Sequence, residues 1–320
     1  MNITVVGCGR WGSFIAWYLN SIGHHVTVYG RNGSKTFEEL AQKRTNGLVT
    51  FEESIQLTTD PSAVLEKNEV LVISIGAQGL RDFLAGFPRG FLAGKTVVLC
   101  MKGIEAETGM RLSEIVASFE PQARCAVWVG PGHVQEFLAG LPNCMVIDSA
   151  DSDLTEVLVK AFSSKLIRFY YGTDLIGSEV GAASKNVIGI AAGALDGLHR
   201  TSLKGALMSR GTREVARLIH AMGGNEMSAY GLCHLGDYEA TVFSKYSHNR
   251  QYGESLVTGQ PYSSLAEGVY TVKGLMVLSE RYQVELPICK AVYQTIYEGV
   301  SIPFTISQLF MRRQREEFYL

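Results

Sequence analysis

The amino-acid sequence predicts an α/β protein in which a doubly wound parallel sheet is followed by an all-α domain. Up to about residue 170, short β-rich apolar runs alternate with amphipathic stretches. A glycine-rich turn, Gly7–Gly12, follows the first run, and after about Thr173 long segments with helical spacing take over. Because 320 residues with 46% apolar content are enough for two cores, we predict two domains, residues 1–172 and 173–320.

The strands are predicted from apolar runs of strand length. These runs lack polar alternation, which is typical of parallel strands that are buried on both faces. The predicted strands are Ile3–Val6, Val26–Tyr29, Val70–Ile75, Thr96–Cys100, Cys125–Val129 and Met145–Ile147. The helical spacing of the second half is clearest in Val180–Ala194, Lys204–Met222 and Leu265–Tyr282. No Pro, Gly or Ser-rich linker separates the halves, so we expect them to pack together around a cleft.

Charge and hydropathy exclude several classes of function. The 29 Lys and Arg residues nearly balance 31 Asp and Glu, and the net charge of -2 argues against nucleic-acid binding or a polybasic membrane surface. The longest small and apolar stretch, Val187–Leu195, is too short to span a bilayer, and the N-terminus lacks the basic head of a signal peptide. We therefore expect a cytoplasmic protein without membrane insertion. The tail Arg312–Glu317 is better explained as a solvated helix end than as a binding patch.

The six cysteines are scattered along the chain without any C-x-x-C pair. The sequence therefore encodes neither a zinc cluster nor a redox dithiol, and we expect no metal site. Reduced, mostly buried thiols are the simplest interpretation.

The segment Gly7-Cys8-Gly9-Arg10-Trp11-Gly12 is a G-x-G-x-x-G turn between a predicted strand and a predicted helix. In this motif Gly7 would make the tight turn, Gly9 would let the backbone approach a pyrophosphate, and Gly12 would allow close packing of helix and strand. The free N–H groups of the helix N-terminus would then bind the anion. The position of the turn predicts a dinucleotide cofactor.

The choice of cofactor is predicted from the end of the second strand, Tyr29-Gly30-Arg31-Asn32. NAD-selective proteins carry an acidic residue here for the ribose hydroxyls, and this chain has none. Arg31 would stack on adenine or bind a 2′-phosphate, which slightly favours NADP over NAD. The alternative is that Arg31 is an ordinary solvated loop residue.

Motifs spread in order along nearly the whole chain resemble the bacterial-type NAD(P)-dependent sn-glycerol-3-phosphate dehydrogenases. Any one of them would be weak evidence, whereas the ordered set is specific. The motifs are the Gly7–Gly12 turn with Trp11, then 101–105 (MKGIE), 130–136 (GPGHVQE), 173–174 (TD), 181–188 (GAASKNVI), 192–193 (AG), 196–198 (DGL), 209–211 (SRG), 231–237 (GLCHLGD), 247–250 (SHNR) and 266–269 (AEGV).

The resemblance implies a Rossmann domain followed by an all-helical domain. It also implies reversible hydride transfer between C2 of glycerol 3-phosphate and C4 of the nicotinamide, giving dihydroxyacetone phosphate for phospholipid synthesis. A small-molecule substrate and a homodimer are implied as well.

Oxidation of a secondary alcohol needs a base for the hydroxyl proton and positive charge near the developing alkoxide. Lys185 is the best candidate base, because it lies among small residues that permit close packing and partial desolvation, which lowers a lysine pKa. The matching lysine of the family is the acid/base catalyst. Lys102 follows a predicted strand, and the resemblance places it against substrate and cofactor. Asp237 would orient Lys185 and balance the positive charge.

The resemblance also implies a wider set of contacts. Gly130 and Gly132 follow the strand Cys125–Val129 and would contact the substrate through their backbone. His133 could be read as a catalytic histidine, but the family assigns the proton to the lysine. The implied substrate contacts are Lys102, Gly130, Gly132, Lys185, Asn186, Asp237, Ser247, His248, Asn249 and Arg250; the implied cofactor contacts are Gly7, Gly9, Arg10, Trp11, Gly12, Arg31, Lys102, Val134, His248, Leu265 and Glu267.

Two positions depart from the family pattern. The family usually has Arg where this chain has His248, and an imidazole grips a phosphate less firmly than a guanidinium does. Arg250 would compensate if the segment were extended, whereas on a helix it would point elsewhere. Arg10 stands where the family often has Ser, and would either add charge beside the pyrophosphate or cover the helix surface.

Two other functions remain open from the sequence alone. A related two-domain dehydrogenase would act on another small hydroxy acid or phosphorylated alcohol, and His248 is the feature that allows it. A non-catalytic dinucleotide sensor would share the fold, although Lys102, Lys185 and Asp237 argue against it.

Overall fold

The computed structural model describes residues 1–65 and 69–317, and the chain forms two compact units. Unit 1 consists of Met1–Met101 and Leu112–Leu175, and unit 2 of Lys102–Arg111 and the chain from Ile176 on. The segment Lys102–Arg111 therefore leaves the sheet domain and belongs to the helical one.

Unit 1 is built on an eight-stranded sheet of order β3-β2-β1-β4-β5-β6-β7-β8. Its strands are β1 Asn2–Val6, β2 His25–Tyr29, β3 Gln56–Thr58, β4 Val70–Ile73, β5 Thr96–Leu99, β6 Arg124–Val129, β7 Asn143–Ser149 and β8 Ile167–Tyr171. Its helices are α1 Arg10–Ser21, α2 Lys35–Lys43, α3 Ser62–Leu65, α4 Leu80–Ala85, α5 Leu112–Phe119, α6 Val134–Leu138 and α7 Ser152–Phe162. The predicted doubly wound α/β class is confirmed.

Two strands, β7 and β8, run opposite to the other six, whereas a parallel sheet was predicted. β7 pairs antiparallel with β6, whereas the other neighbouring strands of the sheet pair in parallel. Between β6 and β7 lies α6, a helix of 5 residues, which is about 7.5 Å long and cannot carry the chain back across a strand of about 20 Å. The chain therefore enters β7 from the edge at which it left β6.

Two edge strands escaped the sequence analysis because they lack an unbroken apolar run. β3 has 3 residues. In β8 the buried side chains of Ile167 and Phe169 alternate with exposed Arg168 and Tyr170. An edge strand with one solvated face alternates buried and exposed side chains in this way. Such a strand contains no continuous apolar run, so it was not predicted.

Unit 2 is helical, as predicted. Its helices are α8 Leu175–Gly197, α9 Lys204–Ala221, α10 His248–Thr258, α11 Glu267–Arg281, α12 Pro287–Tyr297 and α13 Ile302–Phe310. Short 3-10 turns at Thr201–Leu203, Glu226–Tyr230 and Leu235–Asp237 and a π-helical turn at Glu239–Phe243 connect them. Among the described residues, no helix combines the length and apolar character that a membrane crossing requires.

α8 and α10 approach each other through glycine. A Cβ on Gly193 would lie 1.8 Å from the carbonyl oxygen of Arg250, and one on Gly253 would lie 1.9 Å from that of Ile190. Only glycine permits this backbone contact. The close approach brings Asn249, at the start of α10, next to Asn186 on α8.

Candidate active site

The glycine-rich turn of unit 1 has the geometry of a phosphate-binding loop. Gly7 has φ +101, and a Cβ there would lie 2.2 Å from Ser74 O; a Cβ on Gly12 would lie 2.3 Å from Gly7 O. A Cβ on Gly9, by contrast, would meet nothing within 4 Å. The first and third glycines thus serve packing, while the second leaves the backbone open to a ligand. Gly9 also caps α1 without any side-chain hydrogen bond.

The residues beside this turn lie where a cofactor would meet them. Arg10 is exposed at the first position of α1. Trp11 packs on Phe14, with ring centroids 5.2 Å apart. Arg31 follows β2 and acts electrostatically on Cys8: burial raises the pKa of the Cys8 thiol, and the Arg31 charge opposes that rise. The end of β2 adjoins the glycine-rich turn, since Gly7 N donates to Tyr29 O at 3.0 Å.

The loop after β6 presents backbone rather than side chains. Gly130 has φ +128 and Gly132 has φ +149. A Cβ on Gly132 would lie 2.3 Å from the Phe137 ring, so only glycine fits there. Val134 begins α6 with its side chain buried in the core of unit 1. What Val134 can offer a ligand is its backbone N–H.

In unit 2 the structure brings Lys102, Lys185 and Asp237 together. One carboxylate oxygen, Asp237 Oδ2, lies 2.7 Å from Lys102 Nζ and 2.6 Å from Lys185 Nζ. Lys185 also donates to Thr241 Oγ1 at 2.8 Å, and Thr241 donates to the Asp237 carbonyl at 2.7 Å. Asn186 Nδ2 donates to the Lys102 carbonyl at 2.9 Å. Both amino groups are thus held on a single carboxylate.

Lys102 belongs to this cluster because its segment is anchored in unit 2. Ile104 is fully buried in the helical core. The segment crosses α11 at Gly274, where a Cβ would lie 2.6 Å from the Ile104 side chain and 2.8 Å from Glu105 O. The amino group of Lys102 is consequently positioned by the helical domain, although the residue directly follows β5 and Met101 in the sequence.

Burial makes Lys185 a weaker base than an ordinary lysine. Its side chain is 8% exposed, and this burial, with help from the Lys102 charge, lowers the pKa of Lys185 to about 8 against the opposing Asp237 carboxylate. A lysine with a pKa near the working pH can both accept and release a proton. Asp237 Oδ1 is also buried, and no described residue gives it a hydrogen bond.

A buried hydrogen-bond chain fixes Asp237 relative to α8. His234 Nδ1 lies 2.8 Å from Gly181 O, and Tyr238 OH lies 2.7 Å from His234 Nε2. Because a carbonyl only accepts, Nδ1 carries the proton and Nε2 accepts from the tyrosine. Burial lowers the pKa of His234 to about 4, so the ring is neutral. His234, which stands three residues before Asp237 in the chain, is thus bonded to Gly181 of α8. Gly181 lies one helical turn before Lys185.

The segment Ser247–Arg250 is helical, and this separates its members. Ser247 caps α10 by accepting from Arg250 N at 3.3 Å. Asn249 Nδ2 donates to Asn186 Oδ1 at 3.0 Å, and Asn249 Oδ1 accepts from the first turn of α11 at Gly268 N, 2.9 Å. Asn249 therefore borders the lysine cluster.

His248 and Arg250 have other partners. His248 Nδ1 lies 2.8 Å from Tyr262 OH. Arg250 pairs with Asp196 at 2.7 Å and with Glu254 at 3.2 Å. Arg250 could replace the missing family arginine only if this segment were extended. The segment is helical, and Arg250 pairs with Asp196 of α8 instead. We therefore omit Arg250 from the proposed site.

The remaining predicted cofactor contacts, Leu265 and Glu267, lie at the N-terminal end of α11. Leu265 is 55% exposed. Glu267 is the first residue of the helix.

Thr241, His234 and Tyr238 also belong to this site and were not predicted from the sequence. Thr241 stands one helical turn after Asp237, and Tyr238 stands one turn after His234, spacings that could have suggested both. The other partner of His234, Gly181, is 53 residues away in the chain and left no local signal.

Known protein families share the sequence pattern of this chain. Two family models, the NAD-dependent glycerol-3-phosphate dehydrogenase N-terminus and C-terminus, match residues 2–155 and 174–306. The chain belongs to this family. The predicted family is thereby confirmed, and with it a nicotinamide-dependent class of oxidoreductases.

Individual relatives match over the full length. The glycerol-3-phosphate dehydrogenase [NAD(P)+] of Pelodictyon phaeoclathratiforme is 32% identical, and that of Chlorobium phaeobacteroides is 34% identical, each over 99% of both chains. The crystal structure of glycerol-3-phosphate dehydrogenase from Coxiella burnetii superimposes with a TM-score of 0.89 at 26% identity, covering 97% of this chain and 98% of that one.

Proposed function

We propose that this chain is a glycerol-3-phosphate dehydrogenase that transfers a hydride reversibly between C2 of sn-glycerol 3-phosphate and NAD(P)+, giving dihydroxyacetone phosphate. The observation that carries the proposal is the buried Lys185 amino group, 2.6 Å from Asp237 and 2.8 Å from Thr241. Such a group performs the proton transfer that alcohol oxidation requires. The names of the full-length relatives supply the substrate.

The residues of unit 1 fit a dinucleotide. The open backbone at Gly9, the uncapped N-terminus of α1 and the nearby Arg10 would hold the pyrophosphate. Arg31, two residues beyond the end of β2 that adjoins the turn, would bind the adenosine end and favour a 2′-phosphate. When bound, the nicotinamide supplies the hydride acceptor. We assign Gly7, Gly12, Trp11 and Val134 to the same site.

During alcohol oxidation the substrate hydroxyl proton moves to Lys185 Nζ while the hydride leaves C2. The reaction therefore uses the neutral form of Lys185, and the reverse reaction uses the ammonium form. Lys102, 2.7 Å from the same carboxylate, keeps a positive charge beside the developing alkoxide and stabilises it. Asp237 holds both amino groups in place on one carboxylate oxygen.

The neutral donors of unit 2 would orient the substrate. Asn186 and Asn249 are hydrogen-bonded to each other at 3.0 Å, so they form a rigid pair beside the lysines. We include Ser247 and His248 as substrate contacts, with His248 and Glu267 also near the cofactor. Gly130 and Gly132 would contribute backbone N–H groups, and Leu265 an apolar contact to the cofactor.

A second candidate function is favoured by His248, which stands where the family usually has arginine. Its imidazole is bound to Tyr262 and provides fewer donors for a phosphate than a guanidinium would. A related hydroxy acid or phosphorylated alcohol is the substrate that would fit this change. The sensor hypothesis has no such support, because the lysine–aspartate cluster is intact.

We further propose that the product serves phospholipid synthesis, that the enzyme works in the cytoplasm and that it is a homodimer. All six cysteines are free thiols, which suits a reducing compartment. Two-fold symmetric dimers are the commonest oligomers. Light scattering of the purified protein tests the dimer, and cell fractionation tests the compartment.

The deciding experiment is the initial rate of NADPH and NADH oxidation with dihydroxyacetone phosphate and with a panel of 2-keto and 3-keto acids. We expect turnover of dihydroxyacetone phosphate, faster with NADPH. Turnover of another carbonyl alone would establish the second candidate. Tight cofactor binding without any turnover would leave only the sensor.

A further inference from the structure

A cavity of about 370 Å³ that opens to solvent is lined by residues of unit 2 and takes no lining from Lys102, Lys185 or Asp237. Its walls come from α8, α9, α12 and α13. α13 packs on α12, and its Ile306 also packs against the core cluster to which α8 and α9 contribute. The volume is in the range of about 300–1,000 Å³ that holds small molecules in proteins.

Most of the wall surface is apolar. Their side chains include Ile190 and Leu195 of α8, Ile288 and Val292 of α12, and Ile306 of α13. Ile288 and Leu195 belong to the small core cluster that Ile306 packs against. An aliphatic chain would therefore bury its methylene groups against aliphatic side chains on three sides.

Arginines form one side of the same cavity. Arg210, Arg213 and Arg217 follow each other at helical spacing on α9, and Arg312 and Arg313 follow α13. Arg213 is 3.3 Å from Glu226, and Arg312 is 2.8 Å from Glu285. Arg210 donates to a main-chain carbonyl, that of Glu317, at 3.2 Å. This leaves more guanidinium than carboxylate charge there among the described residues.

Glu214, the acidic residue that lines the cavity, repels a bound anion only weakly, because its carboxylate is already hydrogen-bonded to the backbone. Glu214 is 1% exposed, and both its carboxylate oxygens accept backbone N–H bonds from the first turn of α12, at 2.9 and 3.0 Å. Burial raises the pKa of Glu214. Its function is to cap α12.

We propose that this cavity binds a single-chain amphiphilic carboxylate of the fatty-acid type. The chain lies along the walls of α8, α12 and α13, and the carboxylate lies against Arg210 and Arg313. A guanidinium binds a carboxylate with two parallel hydrogen bonds, and the apolar walls exclude a hydrated sugar or nucleotide. This site is independent of the dehydrogenase reaction.

Calorimetry with octanoate, decanoate and dodecanoate, below their micelle concentrations, tests the apolar part. We expect the affinity to rise about fourfold for each added methylene. Dodecanol, with the same chain and no charge, should bind at least about tenfold more weakly than dodecanoate. Equal affinity along the series would overturn the proposal.

Two substitutions test the location. Arg210→Gln keeps a donor for Glu317 O and removes the charge, so dodecanoate binding should fall about tenfold while dodecanol binding stays unchanged. Arg89→Ala, at an exposed arginine of unit 1, is the charge control. Ala291→Phe places a ring inside the cavity and should abolish binding of both compounds, with far-UV circular dichroism confirming that the helices are intact.

Competing occupants give different results. Displacement of dodecanoate by NADPH would place it in the cofactor site and refute the cavity. Phe304, Phe310 and Met311 are exposed beside the cavity, so a second copy of the chain is the other candidate occupant. If dodecanoate does not bind and Ala291→Phe converts a dimer into a monomer, the cavity is a dimer interface and the proposal is wrong.

Discussion

Lys185 is buried and keeps an ion-pair partner, and these two properties act on its pKa in opposite directions. Desolvation lowers its pKa, and Asp237 prevents the pKa from falling further. The amino group is therefore close to half protonated at slightly alkaline pH. This balance is what suits it to both directions of a reversible reaction.

Replacement of this residue is the most direct test of the mechanism. Lys185→Ala should lower kcat at least about a thousandfold, in the range attributed to general acid–base catalysis, while the dissociation constant of NADPH changes less than a few-fold. Stopped-flow turnover and fluorescence titration measure the two quantities. Lys165→Ala, at an exposed lysine, should change neither, and substantial activity of the Lys185 variant would refute the assignment.

The pH profile should report the same lysine. Oxidation needs its neutral form, so kcat/KM for glycerol 3-phosphate should rise with pH and level off above about 8, while the reduction rate falls over the same range. The Lys102 charge lowers this pKa, so Lys102→Met should move the profile to higher pH. Asp237→Asn should move it to lower pH. A profile unaffected by either variant would mean that another group titrates.

His248 is the residue at which the chain departs from its family. His248→Arg should lower KM for dihydroxyacetone phosphate, because a guanidinium provides two charge-assisted bonds to phosphate. Steady-state kinetics at fixed NADPH measures it. Tyr262→Phe, which removes the partner hydroxyl at 2.8 Å, is the matched variant. An unchanged or higher KM in the arginine variant would show that the site is built around histidine.

Among the secondary-structure elements, α8 positions the lysine–aspartate cluster of unit 2 and the neighbouring asparagines. Its Gly181 O binds His234, its Lys185 binds Asp237, and its Asn186 binds Asn249. Small residues along the helix let its partners approach this closely. Helical spacing made the segment recognisable as a helix. Its many small residues hid which of its faces meets which partner.

The contact between α8 and α10 can be tested by adding one methyl group. Gly193→Ala would place a Cβ 1.8 Å from Arg250 O, so the two helices must separate, at a cost of about 1–3 kcal/mol in unfolding free energy. Activity should fall as well, since Asn249 moves with α10. Gly205→Ala, on α9 with nothing within 4 Å, should be neutral or stabilising by up to about 1 kcal/mol. Urea unfolding followed by far-UV circular dichroism compares them, and equal stabilities would contradict the packing.

At the scale of the whole molecule, the two units can be followed separately. All three tryptophans, Trp11, Trp17 and Trp128, belong to unit 1. Their fluorescence reports the sheet domain, whereas most helical signal comes from unit 2. A single unfolding transition should not be assumed for a chain with two cores.

Acid should weaken unit 2 through His234. Its pKa is about 4 in the folded chain and about 6.5 when exposed. The unfolded chain therefore binds the proton more tightly, so stability is complete above pH 6.5 and declines until pH 4, by about 3 kcal/mol from this group. His234→Gln, which keeps a donor and an acceptor, should remove that part of the decline in circular dichroism melts. An identical decline in the variant would show that carboxylates alone cause it.

Much of this protein was predictable from local sequence. The strands β1, β2, β4, β5 and β6, the glycine-rich turn and the long helices α8, α9 and α11 were predicted to within a few residues, because periodicity and glycine spacing are local properties. The same holds for the family, since its motifs are short and keep their order.

Tertiary structure alone decided how these parts combine. The direction of β7 depends on the length of α6, the assignment of Lys102 to the helical unit depends on Ile104 packing there, and the partners of Arg250 depend on the approach of α8 to α10. Each is a contact between residues far apart in the chain. Sequence determined which groups this protein has for its chemistry; packing determined that two lysines share one buried carboxylate, and burial is what gives Lys185 its pKa.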